Sequence, residues 1–188
     1  MGEELSSSWD LYSSASPSDS VHIATCSSLQ HFLHIYSYIS KPLSLKPGYT
    51  LCVYCASMES SPNGCSLVLR FHPCCPMVDY YWDTLVTSLI LDQFDDEVPI
   101  HHQVSTTSSP RINCMGRQVV GLQVSRKLNV PELTLTLLLN SSEQFVIKAI
   151  SNFVHFKIKN LLKDRAKFVL PPVETIFHQD LLDSTEKG

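Results

Sequence analysis

The clearest alternation of apolar and polar positions lies in residues 132–139, ELTLTLLL. Leucines recur at every second position from Leu133 to Leu139, which is the side-chain period of a β-strand with one buried face. Residues 49–57 and 65–72 are apolar runs of strand length. The Pro-Asn-Gly sequence between these two runs is typical of a turn, so we expect the runs to form a β-hairpin.

Three further segments have weaker patterns. Residues 21–26, VHIATC, predict a first strand with Val21 and Ile23 on one face. Residues 29–40 alternate in a way that favours a second strand. Residues 84–91 form a short apolar run, which periodicity alone cannot assign to a strand or to a helix.

Residues 112–128 predict a helix that is apolar on two sides. Met115, Val119 and Leu122 lie on one side of the helical wheel, and Val120, Val124 and Leu128 lie nearly opposite. A helix with two apolar sides is covered on both of them. We therefore expect one side to pack on the sheet and the other to meet another element or a partner subunit. Arg126 and Lys127 fall in the last turn, where cations interact favourably with the helix dipole.

A second helix is predicted at 142–164. Its apolar arc contains Val146, Ile150, Phe153, Val154, Ile158 and Leu161, and its polar stripe contains Lys148, Asn152, His155, Lys159 and Lys163. Lys157 falls inside the apolar arc, whereas Phe145 and Phe156 lie on its flank. The pattern fits a helix on a sheet with Lys157 extending its ammonium to water. It also fits a helix that contacts a second protein.

Together these elements predict an α+β fold, with a mostly antiparallel sheet packed with two main helices at about 112–128 and 142–164. Residues 1–20 are serine-rich and aperiodic, which predicts a disordered tail. Residues 21–170 are then a single α+β domain, and residues 171–188 are a C-terminal tail. The length of 188 residues fits one domain.

Composition bears on the cellular setting. An odd number of cysteines, seven, and an acidic N-terminus unlike a secretory signal indicate reduced thiols and a cytoplasmic and nuclear location. Residues 1–100 carry 3 basic and 11 acidic side chains, whereas residues 101–188 carry 11 basic and 7 acidic ones. Since only 17% of the residues are charged, we expect a partner to cover part of the apolar surface.

One group of residues has a spacing near that of a zinc site. It consists of Cys52 and Cys55, followed by His72, Cys74 and Cys75. A strand in this region, however, places residues three apart on opposite faces. We therefore expect buried thiols, with no metal and no other cofactor.

No catalytic motif is present in the sequence. His101 and His102 follow an acidic stretch, but adjacent histidines on a strand face opposite ways. The chain has no nucleophile elbow, no phosphate-binding loop, no dinucleotide-binding fingerprint and no zinc-protease motif. These features predict a protein that is not an enzyme.

The candidate for nucleic-acid binding is a basic stripe near the end of the chain. It contains Lys148, Lys159, Lys163, Arg165 and Lys167. No aromatic stacking platform accompanies these residues in the sequence pattern, so we expect a solvated or protein-binding surface and no nucleic acid. No apolar run approaches the ~20 residues that span a bilayer, so no membrane is expected either.

Residues 92–162 combine an acidic turn, a polar loop and three patterned segments. These segments are GRQVVGLQVSRKLNVP, ELTLTLLLN and SSEQFVIKAISNFVHFKIKNLL. Their order resembles the C-terminal part of the proteasome assembly chaperone 4 family, in which a helix ends in a basic residue and Asn or Thr, as Arg126 to Asn129 do here. The segments at 29–40 and 49–57 fit the N-terminal half of that family more loosely.

The resemblance implies a non-catalytic α+β chaperone. Such a chaperone would pair with a related proteasome assembly chaperone 3-like subunit and would help proteasome α-subunits form the ring of the 20S core particle. An adaptor subunit of another multiprotein complex is the alternative.

The helical wheels, rather than the resemblance, suggest the partner-binding residues. Leu122, Val124, Leu128, Phe145 and Phe156 would pair the subunits, Lys157, Lys159 and Lys163 would contact the client, and Arg126 and Lys127 would add a docking contact.

Overall fold

Seven strands form one antiparallel sheet in the computed structural model, which describes residues 3–15, 19–56, 64–94, 119–161 and 171–178. The strands are β1 (Glu4–Ser14), β2 (Ser20–Ser28), β3 (Thr50–Cys55), β4 (Cys65–Phe71), β5 (Val119–Arg126), β6 (Leu133–Leu139) and β7 (Val173–Phe177). The helices are α1 (Leu29–Tyr36), α2 (Val78–Ile90) and α3 (Gln144–Leu161). Across the sheet the order is β2-β1-β3-β5-β6-β4-β7. The predicted α+β class with an antiparallel sheet is confirmed.

The prediction of a helix at 112–128 is wrong for the part of this segment that the structure describes, because residues 119–126 form β5. This strand lies near the centre of the sheet, between β3 and β6. Its apolar side chains Val119, Val120, Leu122 and Val124 are all buried. Val119 and Val120 are both buried but point to opposite faces, and a register shift between Val119 and Gly121 interrupts the alternation of the strand. A helical wheel displays such a run as two apolar sides. Residues 112–118 lie outside the described residues.

The serine-rich N-terminal segment, which the sequence predicts to be a tail, contains an inner strand. β1 pairs with β2 on one side and with β3 on the other. Trp9 and Leu11 are 2% and 0% exposed and lie in the hydrophobic core. The strand is hard to recognise in the sequence because these two large apolar residues stand among serines.

The two strands predicted as a hairpin, β3 and β4, do not pair with each other. β5 and β6 lie between them in the sheet. On its other side β4 pairs with β7, so part of the predicted C-terminal tail is an edge strand. A turn signal between two apolar runs shows where the chain bends, but it does not fix which strands become neighbours.

Residues 29–40 contain α1 rather than the predicted strand. The Ser28 hydroxyl caps the helix by accepting the His31 amide hydrogen at 3.3 Å. The undecided run at 84–91 belongs mainly to α2, whose Trp82 and Leu85 are fully buried. No helix in the described part of the chain is long and apolar enough to cross a membrane.

The helix predicted at 142–164 is present as α3. Five members of the predicted apolar arc, Val146, Ile150, Phe153, Val154 and Ile158, are buried, and Ile147 joins them. The side chain of Leu161, the sixth member, lies outside the described residues. Lys157 is half-buried, with its ammonium 5.2 Å from the centre of the Phe153 ring and 3.5 Å from the side-chain oxygen of Gln93. The predicted amphipathic pattern therefore describes how α3 packs.

The two faces of the sheet differ in what covers them. Side chains from α1, α2 and α3 join one face of the sheet in a single hydrophobic core, and we call this the helical face. Cys52, Val68 and Val120 are also buried, but they point to the opposite face and lie outside that core. We call this opposite side the open face, since no described helix covers it.

Replacing Trp9 with alanine tests the placement of β1 in the core. We expect the free energy of unfolding to fall by about 3–5 kcal/mol, because the change leaves a large cavity in a packed interior. Urea denaturation followed by circular dichroism would measure it. Leu128→Ala is the matched control, since Leu128 is 69% exposed and its loss should change stability by about 0.5 kcal/mol or less. Equal stability of the two variants would contradict an inner β1.

Candidate functional site

The open face is built from two neighbouring rows of residues that cross the sheet. One row places Tyr12, Cys52, Gln123, Thr136, Val68 and Glu174 opposite one another. The next row contains Asp10, Tyr54, Gly121, Leu138, Ser66 and Ile176. Polar and aromatic side chains predominate in both rows, in contrast to the leucines and valines of the helical face.

An irregularity in β2 adds two polar side chains to this surface. The pairing with β1 shifts between Leu11 and Tyr12, where the partner residue changes from Ala24 to His22. Such a bulge lets residues three apart in sequence share one face. Thr25 accordingly donates a hydrogen bond to the Asp10 carboxylate, and the His22 Nε2 atom lies 3.3 Å from the same carboxylate.

Three rings form an aromatic cluster beside Asp10. The ring centres of Tyr12 and His22 are 5.0 Å apart, and those of Tyr12 and Tyr54 are 6.0 Å apart with planes tilted by 52°. Both tyrosines are half-buried and His22 is exposed. A groove of about 380 Å³ runs along the two tyrosines, with Asp10 and Leu138 also in its wall. The groove is concave, partly apolar and carries one carboxylate.

Gly121 leaves the space that the Tyr54 ring occupies on the sheet. A Cβ atom at position 121 would lie 2.4 Å from Cδ1 of Tyr54 and 2.8 Å from the carbonyl oxygen of Val53. Because glycine has no side chain, the ring of Tyr54 can lie across the neighbouring strand. This close approach fixes the orientation of one wall of the groove.

Burial raises the pKa of two groups beside the groove, the Tyr54 hydroxyl and the Cys52 thiol. It raises the pKa of the Tyr54 hydroxyl well above its ordinary value, and the neighbouring Cys52 raises it further. Burial likewise raises the pKa of the Cys52 thiol. At neutral pH, Tyr54 therefore presents a hydroxyl that can still donate a hydrogen bond.

The described cations of the open face are already paired. Arg70 donates hydrogen bonds of 2.9 Å to Glu132 and Glu174, and the Lys127 ammonium lies 3.2 Å from Glu132. Burial alone would raise the pKa of Glu132, but hydrogen bonds from Arg70, Lys127 and Thr134 hold it below its ordinary value. Arg70 and Lys127 therefore have little unpaired positive charge to offer to a ligand.

A second groove lies on the helical side, where α1 ends against the sheet. It encloses about 550 Å³, and its wall includes Ile23, Ile35, Tyr38, Ile39 and Tyr49.

Residues 40–46, which supply part of the wall of this groove, are tied to α2 by two polar contacts. Lys41 binds Asp83 at 2.6 Å, and Asp79 accepts the Leu43 amide hydrogen at 2.9 Å.

The partner-binding residues predicted on 112–128 do not form a common surface. Leu122 and Val124 are buried in the core, so neither is available to another protein. Arg126 donates a hydrogen bond of 2.9 Å to the Leu45 carbonyl oxygen, and Lys127 pairs with Glu132. Leu128 is exposed, and its Cδ1 methyl group lies 3.6 Å from the point that a Cβ atom on Gly48 would occupy.

The residues predicted on the last helix are more accessible. Phe145 and Phe156 are 59% and 51% exposed, and Lys159 is exposed as well. Lys157 is half-buried against Phe153 and Gln93. Lys163 lies outside the described residues.

The cysteines do not form the zinc site considered above. Cys52 and Cys55 are buried on opposite faces of β3, whereas Cys74 is exposed. Within the described residues, no three side chains of the metal-binding types come together. His101 and His102 lie outside the part of the chain that the structure describes.

Comparisons with solved structures give a consistent result. The eIF4E-3 protein of C. elegans, in complex with the 4E-binding protein Mextli, superimposes with a TM-score of 0.72 over 96% of both chains at 14% identity. Ascaris suum eIF4E-3 with the m7G cap gives 0.65 over 95% of this chain and 92% of that one at 16% identity. Schistosome eIF4E with m7GpppA and 4E-BP gives 0.66 over 85% and 84% at 18% identity. No model of a protein family matches the chain, and neither does any curated protein sequence.

The chain has the eIF4E-like fold. The predicted membership of the proteasome assembly chaperone 4 family is therefore wrong, and so are the expected chaperone 3-like partner and proteasome α-subunits. The resemblance depended on a helix that is β5 in the structure. An adaptor subunit of an unrelated complex is not supported either.

The exclusion of nucleic acid must also be corrected. Two of these neighbours are described in complexes with an m7G cap or with m7GpppA, and this chain has aromatic rings on its open face.

Sequence reasoning missed the aromatic cluster altogether. Tyr12 lies in the presumed tail, His22 in a weak strand, and Tyr54 in a strand that looked wholly buried. The alternation of Asp10 and Tyr12 with the buried Trp9 and Leu11 is the signal that could have placed the Tyr12 ring on the solvent side of a strand.

Gly121→Ala tests the contact that orients Tyr54. We expect a loss of about 1–3 kcal/mol in the free energy of unfolding, because the new methyl group overlaps the ring and the neighbouring backbone. Tyr54→Ala in the same chain should recover part of that loss, so a double-mutant cycle measured by urea denaturation would show coupling. Ser125→Ala, on the same face of β5, is the control. Independent effects of the two substitutions would contradict the contact.

Proposed function

We propose that this chain binds an m7G cap nucleotide on the open face, with Tyr12, Tyr54 and Asp10 as the principal contacts. The observation that carries the proposal is the aromatic cluster beside a carboxylate in a groove of about 380 Å³. The fold supports it, because the neighbours in complex with m7G cap and m7GpppA share it over most of their length.

The chemistry of the groove suits a methylated purine. Methylation gives the guanine ring a positive charge, which favours the face of an aromatic ring and the neighbourhood of a carboxylate. Tyr12 and Tyr54 offer ring faces for stacking. Asp10 accepts hydrogen bonds, and guanine has N–H donors on its N1 and N2 edge.

The phosphates should contribute little to this binding. Arg70 and Lys127, the basic side chains described on the open face, are already paired with Glu132. The affinity should therefore depend on the base more than on the number of phosphates, and it should change little with salt concentration.

Calorimetric titration with m7GTP and with GTP tests the proposal. We expect m7GTP to bind at least about tenfold more tightly, and we expect Tyr12→Ala and Tyr54→Ala each to cost about 1–3 kcal/mol of binding free energy. Calorimetry is preferable to tryptophan quenching, because Trp9 and Trp82 are buried in the core. Tyr80→Ala, which removes an exposed ring on α2, is the matched control.

Two results would overturn the cap proposal. One is equal affinity for m7GTP and GTP, which would remove the role of the methylated base. The other is preferential binding of m7GTP that neither tyrosine substitution weakens, which would place the nucleotide elsewhere.

A second function concerns a protein partner, and the groove at the end of α1 favours it. The eIF4E-fold neighbours are described in complexes with 4E-BP and with Mextli. Here Tyr38 is 79% exposed and Ile23 is 41% exposed on the groove of about 550 Å³. A peptide that inserts apolar side chains there would bury exposed surface without unfolding the loop that Asp79 and Asp83 hold.

Binding of a fluorescent 4E-BP peptide tests the second function. We expect Tyr38→Ala and Ile23→Asp each to weaken binding by about tenfold, because both residues lie at the groove and are accessible. Phe145→Asp, a substitution of an exposed residue on α3 that does not line this groove, is the control. Binding that is lost equally in the control variant, or in none of them, would contradict this use of the groove.

Both activities belong where capped RNA is made and translated. The cytoplasmic and nuclear location expected from the cysteine content and the acidic N-terminus is therefore part of this proposal.

A further inference from the structure

The exposed side of α3 carries a repeated pair of residues. The sequence FVIK at 145–148 recurs as FKIK at 156–159, which places a phenylalanine three residues before a lysine twice. The two copies are 11 residues apart. At 100° per residue that separation returns to within about 20° of the starting direction, so both copies occupy one side of the helix. The rise of 1.5 Å per residue puts them about 16 Å apart.

The structure shows that this side of α3 is open to solvent. Phe145 and Phe156 are 59% and 51% exposed, and Lys148 and Lys159 are exposed beside them. Asn152, also exposed, lies between the two copies. We call these five residues the α3 stripe.

Charge on α3 is of one sign. The helix contains three lysines and no acidic residue, and the nearest acidic residue in the sequence before it is Glu143. Lys157 belongs to the other flank, where it contacts Gln93 and the Phe153 ring. Among the described residues, neither Lys148 nor Lys159 forms an ion pair, so both ammonium groups can accept a new anionic partner.

We propose that the α3 stripe binds single-stranded RNA. Phosphates would pair with Lys148 and Lys159, and unstacked bases would lie on the rings of Phe145 and Phe156. Positive charge together with exposed aromatic rings is what proteins use to hold single strands without reading their sequence. A separation of about 16 Å matches about five nucleotides at the 3.4 Å rise of a stacked strand.

The same features argue against an anionic membrane as the ligand. A helix that lies in a membrane surface inserts a continuous apolar face. The apolar face of α3 is already buried on its own sheet, through Val146, Ile150 and Val154. The exposed side offers two separate rings with Asn152 between them.

The inference is independent of the cap site. The stripe lies on the helical side of the sheet, whereas Tyr12 and Tyr54 lie on the open face. An RNA without a cap can therefore be used to test the stripe, and m7GTP can be used to test the other site in the same variants.

Fluorescence anisotropy with a labelled, uncapped ten-nucleotide oligouridine is the direct test. We expect Phe145→Ala/Phe156→Ala to weaken binding by at least about tenfold, because the loss of even one stacked base lowers the affinity by about that factor. We expect Lys148→Ala/Lys159→Ala to weaken binding and to reduce the slope of log affinity against log salt by about 1.4. Lys127→Ala, which removes a charge that is already paired, should leave both quantities nearly unchanged.

Phe156→Trp provides a second measurement that does not depend on loss of affinity. The new indole would be exposed, whereas both native tryptophans are buried, so its fluorescence should be quenched when a base stacks on it. The affinity of this variant for m7GTP should equal that of the wild type.

Three outcomes would overturn the proposal. The first is no binding of the oligonucleotide by the wild-type chain, and the second is binding by both double variants that equals that of the wild type. The third is a blue shift of the introduced indole in the Phe156→Trp variant on phosphatidylserine vesicles, without any response to RNA. That last result would assign the stripe to a membrane surface.

Discussion

Helices cover one face of the sheet and leave the other face open, and the remaining features of the structure depend on this difference. Along β1, β3 and β5, alternate side chains point to opposite sides, and Leu11, Val53 and Leu122 enter the core beneath the helices. The residues between them are therefore directed to the open face, where Tyr12, Tyr54 and Gly121 meet. Packing of the helices thus determines which side chains remain for a ligand.

Some elements could be predicted from the sequence because their pattern has one buried face. β6 alternates leucine with threonine, and α3 has a single apolar arc, so period alone identifies them. β5 could not be recognised in this way because the register shift between Val119 and Gly121 places buried valines at two consecutive positions and interrupts the alternation. β1 could not be recognised because serines surround Trp9 and Leu11. The supposed family resemblance failed for the same reason, since it required β5 to be a helix.

The candidate site was harder to predict than the fold. Its rings come from β1, β2 and β3, and only the register of three strands and a bulge in β2 bring them together. Sequence spacing carries no information about that register. The α3 stripe differs, because its residues are local: Phe145 and Phe156 were already identified on the wheel as off the apolar arc. What the structure added is their exposure on the same side as Lys148 and Lys159.

In the functions that we propose, the open face binds a methylated base and the α3 stripe binds a strand of RNA. The central claim is that the nucleotide lies on the open face. The most direct test is a titration of isotope-labelled protein with m7GTP, followed by amide NMR. The account predicts the largest shifts at Tyr12, Tyr54 and Gly121, with little change in α1 and α2. Shifts confined to the helices, or none at saturating nucleotide, would contradict it.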